Sequence, residues 1–207
     1  MRSTSPEMVE RMLEVAGRLF ARHRFHEVRM EDVCAEVGVG KGTLYRHFKD
    51  KEELYLALLR RAGEQINRRL EEALAPVAGT VARLTALVET VIAFFDEQPH
   101  LFDLVQRAEV LRSHDFPWKH TREEMIRRVT NLLRAAQEEG EFVVIDVELA
   151  ALMLLGGLRS VIRFGPRPRP ADLAQRIVTS FLDGAARAGK RSAAGPKRRN
   201  GAYQSAV

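Results

Sequence analysis

Gly38-Val39-Gly40 pinches the chain between two short stretches of helical pattern, and no other feature narrows its possible folds so far. A helix arriving at Gly38 must end there, because glycine takes left-handed backbone angles without steric penalty. Val33, Val37, Val39, Leu44 and Phe48 are spaced so that the flanking helices cross over one small apolar seam. The second helix, about Lys41 to Phe48, turns Leu44 and Phe48 inward at i and i+4. Gly42, Thr43, Tyr45 and Arg46 are left facing outward, with Lys41 and His47 flanking them. Such a face has donors for phosphates and base edges and little bulk at its N-terminal end, as a helix entering the major groove requires. The pattern is that of a helix-turn-helix.

The rest of the chain also reads as helical, and the expected fold class is all-α. Ser5 ahead of Pro6 and Glu7 makes a helix start, with a hydroxyl to cap, a proline for the first turn and an acid for the dipole. Val9, Met12, Leu13, Ala16, Leu19 and Phe20 follow at helical spacing and would lie over the helix-turn-helix. A fourth helix runs from about Lys51 to the Ala75-Pro76 break. Helices are then expected over Val81 to Asp96, Leu101 to Leu111, Thr121 to Glu139, Val147 to Phe164 (capped by Asp146) and Ala171 to Ala186. Ser113 to Pro117 reads as a loop, and Gly165 to Pro170 as a rigid turn. From Gly189 the composition cannot build a core and predicts disorder. Glu141 to Ile145 is the nearest approach to a strand and is isolated.

The run Gly38-Val39-Gly40-Lys41-Gly42-Thr43-Leu44-Tyr45-Arg46-His47-Phe48, followed by Lys51-Glu52-Glu53-Leu54, resembles the DNA-binding domain of the TetR/AcrR family of bacterial transcriptional regulators. The likeness covers roughly Val9 to Leu59, and the Gly-Thr-Leu-Tyr-x-x-Phe run is its most specific part. It implies a division into a DNA-binding domain at 1–59, a helical effector-binding and dimerisation domain at 60–188 and a basic tail at 189–207. Lys41, Thr43 and Tyr45 fall where the family touches bases or phosphates, and His47 where a phosphate contact is common. Gly42 brings the backbone close to the groove, Arg46 shares the outward face, and Lys51 adds its charge to the N-terminal dipole of the fourth helix. Glu31 either accepts from a cytosine amino group or is an exposed acid of the cap region.

The chain departs from the family's pattern in three places. Arg24 stands where glycine is frequent, so either a left-handed arginine or a reshaped turn is required. The hydroxyl residue usual near Val28 and Arg29 is missing, and Arg29 is positioned to replace its phosphate contact with a salt bridge. Gly40 stands where serine is common, a substitution that costs a helix cap little.

A single helix-turn-helix reads few base pairs, so the resemblance implies a homodimer on a palindromic double-stranded DNA operator. The helices 147–164 and 171–186 are the natural interface, the first being apolar all round with Gly156-Gly157 inside it; the competing interpretation is an ordinary buried core helix. Phe94, Phe95, Leu101, Phe102, Val105, Trp118, Met125, Val129 and Met153 are candidates to line an apolar cavity for a small lipophilic effector, and the expected output is repression.

Composition mostly excludes. No run of 18 apolar residues exists, and the first residues lack the apolar core of a signal peptide, which predicts a cytoplasmic protein without a membrane partner. The net charge of +5 is no argument for nucleic acid: six of the 33 basic residues lie from Arg187 onward with no acid among them, leaving 27 against 28 acids. That tail is either a solvated end or a source of sequence-independent phosphate contacts. Cys34, the one cysteine, reads as a small buried hydrophobe rather than a redox sensor. His100, Glu109, His114, Asp115 and His120 cluster in sequence but lack the i, i+4 pairing of a helical metal site. With no nucleophile elbow and no phosphate-binding glycine loop, neither catalytic nor metal residues nor a cofactor are expected. A metal-sensing regulator and a helical adaptor without DNA binding are the alternatives.

Overall fold

The computed structural model describes residues 5–110, 117–140 and 146–192. These residues form helices α1 (Pro6–Arg22), α2 (Met30–Val37), α3 (Lys41–His47), α4 (Lys51–Leu74), α5 (Thr80–Glu97), α6 (Pro99–Val110), α7 (Pro117–Glu138), α8 (Val147–Phe164) and α9 (Leu173–Ser192), with no strand among them.

The N-terminal unit is built on the expected seam. Val33, Val37, Leu44 and Phe48 are buried between α2 and α3, and Met12, Leu13, Ala16 and Phe20 of α1 close over them. Gly38 ends α2 at φ 81° and ψ 36°, and its N–H donates to the Cys34 carbonyl at 2.9 Å. That left-handed residue redirects the chain into α3, whose N-cap is Gly40. Cys34 is buried and burial pushes its thiol up, as suits a core hydrophobe. Of the two solutions open at Arg24, the chain takes a reshaped turn: the Glu27 N–H donates to the Arg24 carbonyl at 3.0 Å, and the Glu27 carboxylate accepts from the Arg24 N–H at 2.8 Å.

Some local expectations are corrected. Ser5 is the N-cap of α1, but its hydroxyl bonds to Glu7, holding that carboxyl below its usual range, instead of capping the backbone. α9 begins at Leu173 because the chain first turns at Pro170, whose carbonyl accepts from the Leu173 N–H at 3.1 Å. It then continues through Gly189 to Ser192, where disorder was expected. An already nucleated helix lengthens at little cost through an alanine- and arginine-rich stretch. α7 starts at Pro117, four residues early. The loop residues Ser113–Phe116, the strand-like 141–145 and the tail beyond Ser192 lie outside the described residues.

α4 is one continuous helix linking the two halves. Asp50 caps it, accepting from the Glu53 N–H at 2.8 Å, and it packs in turn on α1, α6, α7 and α5. α5 is the central post of the second half, with α4, α6, α7, α8 and α9 all against it. Asp96 of α5 holds the α8–α9 connection: Arg169 donates to it at 2.6 and 3.0 Å and also to the Val161 and Ile162 carbonyls at the end of α8.

Candidate DNA interface and effector cavity

α3 presents its face as the spacing demands. Leu44 is fully buried, Thr43 half-buried, and Lys41, Gly42, Tyr45 and Arg46 are exposed. Tyr45 is 44% exposed, a large aromatic held in solvent by a helix whose other side is core. The exposed Arg29 lies at the start of α2, so cations from two helices flank the same face.

The geometry alters the roles of several expected contacts. Lys41 pairs with Glu31 across the turn at 2.8 Å, both side chains exposed. The pair holds the Glu31 carboxyl below and the Lys41 ammonium above their usual ranges, each chiefly through their shared hydrogen bond. Arg29 makes no side-chain cap bond; the Asp32 carboxylate accepts from its N–H at 3.0 Å, the return half of a capping box, which ties down the start of α2 without supplying the acceptor of the missing hydroxyl. Lys51 turns inward: its Nζ donates to the Val28 carbonyl at 2.8 Å and lies 4.6 Å from the centre of the Phe25 ring. With Asp50 and Glu53 satisfying the backbone there, the start of α4 is less open to a phosphate than its sequence suggests. The His47 Nε2 is covered and has no hydrogen-bond partner, so this nitrogen faces away from the expected groove.

A second site lies in the other half. Helices α5, α6, α7 and α8 line a half-open cavity of about 480 Å³. Phe95, Phe102, Val105, Trp118 and Met125 line it as expected. The rings of Phe95 and Phe102 meet edge to face at 5.3 Å between centres, and Trp118 lies 6.2 Å from Phe95. Four expected residues do not line it. Phe94 is wholly buried beside Arg69 on the α4 side of α5, and Val129 is wholly buried in the core. Met153, 64% exposed, points out from the opposite face of α8. Leu101 likewise turns away, into a cleft against α4 that also holds His100 and Glu14. The wall that sequence reasoning missed is α8, through Leu152, Leu155, Leu158 and Ile162, together with Val91 of α5 and Ile126 of α7. Gln106, Arg122, Glu123 and Arg159 add polar groups to the lining.

α6 belongs to both sites. It turns Phe102 and Val105 to the cavity, while its Leu104 carbonyl accepts a buried hydrogen bond from the Tyr55 hydroxyl of α4 at 3.1 Å. His100 at its start packs beside Gly17 of α1, where an added Cβ would meet the imidazole at 3.4 Å, an ordinary contact distance.

The outer face of α8 is unusual for a folded helix. Leu149, Met153, Gly157, Ser160 and Phe164 form an exposed stripe, Phe164 at 82% exposure, and a Cβ added at Gly156 or Gly157 would meet nothing within 4 Å. Elsewhere, His120 is exposed on α7, far in role from the half-buried His100, while the side chains of Glu109, His114 and Asp115 lie outside the described residues. No three His, Cys, Asp or Glu side chains among the described residues are grouped to hold a metal. No helix among them is long and apolar enough to cross a membrane.

Comparison with known proteins agrees with both halves. Residues 12–58 match the bacterial regulatory proteins of the tetR family, and residues 78–185 match the tetracyclin repressor-like C-terminal domain. The transcriptional activator FasR of Mycolicibacterium smegmatis is 36% identical over 89 residues, which are 43% of this chain but only 39% of that relative's length. A tetR-family regulatory protein from Rhodococcus RHA1 superimposes with a TM-score of 0.76 at 21% identity, over 88% of this chain and 98% of its own. The regulator PfmR of Thermus thermophilus does so at 0.70 and 26% identity, over 86% and 97%.

Proposed function

The chain belongs to the tetR family of bacterial regulatory proteins, DNA-binding transcriptional regulators rather than enzymes, and we propose that it is a homodimeric, effector-responsive repressor acting in the cytoplasm. The observation that carries this proposal is the outward face of α3, with Tyr45 held in solvent between Lys41 and Arg46 while Leu44 anchors the helix from behind. Tyr45 offers a hydroxyl to a phosphate and a ring edge to a thymine methyl; Lys41 and Arg46 supply charge. The division at residue 59 fits this scheme, leaving α4 to join a reading unit to a sensing unit.

The exposed stripe on α8 supports the dimer. An apolar row that solvent covers in one chain is buried when two copies pair about a two-fold axis, and the open glycines admit a close helix approach. α9 supplies the flank, its Leu173, Ile177 and Phe181 only partly buried. Two recognition helices would then read two halves of a palindrome.

Effector response is supported by the position of α6. A molecule entering the cavity presses on Phe102 and Val105, and the Tyr55–Leu104 bond and the His100–Gly17 contact lead from there to α4 and α1. Release of DNA needs the effector to favour the non-binding conformation by several kcal/mol, about 5 for a nearly complete switch. Whether an operator is repressed depends on its place relative to the promoter, and repression is the family's usual output.

The test is selection of random duplex DNA on the purified protein, alongside Tyr45→Ala. A palindromic motif that the variant enriches at least tenfold less supports the proposal, since a lost base contact costs about 1–3 kcal/mol in each half-site. Enrichment of no sequence, with binding that only tracks salt, would overturn it.

A further inference from the structure

A purely apolar cavity accepts any oil of the right size, but this one has a charged wall. Arg122 lines it from α7, exposed, with neither an ion pair nor a hydrogen bond to any described residue. The acid beside it, Glu123, is drawn to Lys119 one turn back at 3.9 Å. Arg159 of α8 brings a second guanidinium to the lining and hydrogen-bonds to Gln106 of α6. Among the described lining residues cations thus outnumber acids, and Arg122 is the one that makes no ion pair or hydrogen bond to another described residue. Its planar fork matches the paired oxygens of a carboxylate or a phosphate. Because it remains in water, docking an anion on it avoids the desolvation penalty of a buried pair.

We propose that the effector of this cavity is an amphiphilic anion, its apolar tail among Phe95, Phe102 and Trp118 and its acidic head on Arg122. This rests on the effector reading given above and narrows it. At about 30 Å³ for a group the size of a water molecule, 480 Å³ holds roughly sixteen such groups, enough for a medium-length hydrocarbon chain. A neutral amphiphile gains only the apolar contacts, and a cationic one meets like charge.

Trp118 is the chain's single tryptophan and lies in the cavity wall, so its fluorescence reports this site directly. The full-length protein is titrated, below micelle formation, with dodecanoate, dodecyl phosphate, dodecanol and dodecylamine, and calorimetry is run in parallel. The two anions are expected to bind up to about fivefold tighter than the alcohol, as suits a solvent-exposed ion pair, with the amine weakest. Whichever anion binds tighter identifies the head as carboxylate or phosphate. Arg122→Gln should bring the anions down to the alcohol's affinity and leave the alcohol unchanged, and Arg122→Lys should keep part of the difference. Equal binding of all four, unaffected by Arg122→Gln, overturns the anionic assignment while leaving a lipophilic effector intact. Binding of none by either method removes the effector reading itself, and this inference with it.

Discussion

Replacing Gly157 with alanine has an effect whose sign depends on whether α8 meets a second copy. In one chain the added Cβ meets nothing within 4 Å, and the residue is interior to an 18-residue helix. There the change should stabilise by about 1 kcal/mol, the difference in helix propensity. For a chain of this size that raises the melting temperature by about 2–4 °C. If α8 packs on its own copy, Gly157 occurs twice in the contact, between Met153 and Ser160 on the exposed stripe. Each new Cβ then holds the helices apart at about 1–3 kcal/mol, the usual penalty of overpacking. Two of them weaken association by at least about 2 kcal/mol, roughly thirtyfold in the dissociation constant. Gly157→Leu should push further in the same direction. Sedimentation equilibrium over a wide concentration range reads the association, and thermal melts at low and high concentration separate it from chain stability. A variant that melts higher at every concentration and dimerises as tightly as the parent, with Gly157→Leu behaving likewise, would refute α8 as the interface.

Three further perturbations test the DNA face and the core. Glu31→Gln releases Lys41 from its 2.8 Å partner, so operator affinity should rise severalfold with a steeper salt dependence; a fall, confined to operators carrying one particular base, would show Glu31 reading a cytosine instead. Lys51→Met should lower stability by about 1–2 kcal/mol in a urea melt, because the ammonium ties α4 to the Val28 carbonyl, and should leave the salt slope of DNA binding nearly unchanged; a slope reduced by about 1 would show that Lys51 swings out to a phosphate. Two groups should give the melting temperature distinct acid limbs. Burial, then Arg18, lowers the His100 pKa from 6.5, so the unfolded chain takes that proton first and stability declines as pH falls below 6.5; His100→Gln should remove this limb. Arg169, through its hydrogen bonds, lowers the Asp96 carboxyl from 3.8, so its contribution is present above that value and is lost as pH falls toward the folded pKa, a limb that Asp96→Asn should flatten.

What the sequence disclosed was whatever depends on neighbours along the chain. Gly38 announced the end of α2 because only backbone angles decide it, and Asp146 announced α8 because a cap acts three residues ahead, here on the Leu149 N–H at 2.9 Å. Where a choice lay between two faces of one helix, spacing could not make it. Phe94 and Phe95 are adjacent, so one must face the cavity and the other α4, and nothing local says which. α8 is the sharper case. Its charged residues, Glu148, Arg159 and Arg163, pair with α7 and α6 and so do not mark a solvent face, which left its cavity wall of Leu152, Leu155, Leu158 and Ile162 illegible and put Met153 on the wrong side. Its apolar residues on both sides carry their own explanation. A helix that lines a cavity on one side and presents an exposed apolar row on the other needs hydrophobic residues on both, and only one of those sides is accounted for by the single chain. Lys41 and Lys51 show the complementary limit: each was recognisable as a cation near DNA, but the oxygen each meets in the free protein is distant in sequence or across a turn. Releasing Lys41 to phosphate breaks a solvent-exposed pair, which is cheap, whereas releasing Lys51 strips a part-buried carbonyl of its donor. On the proposed DNA face the charge is therefore available in unequal measure: Arg46 and Arg29 make no ion pair among the described residues, Lys41 comes free by exchange, and Lys51 only at a cost to the fold.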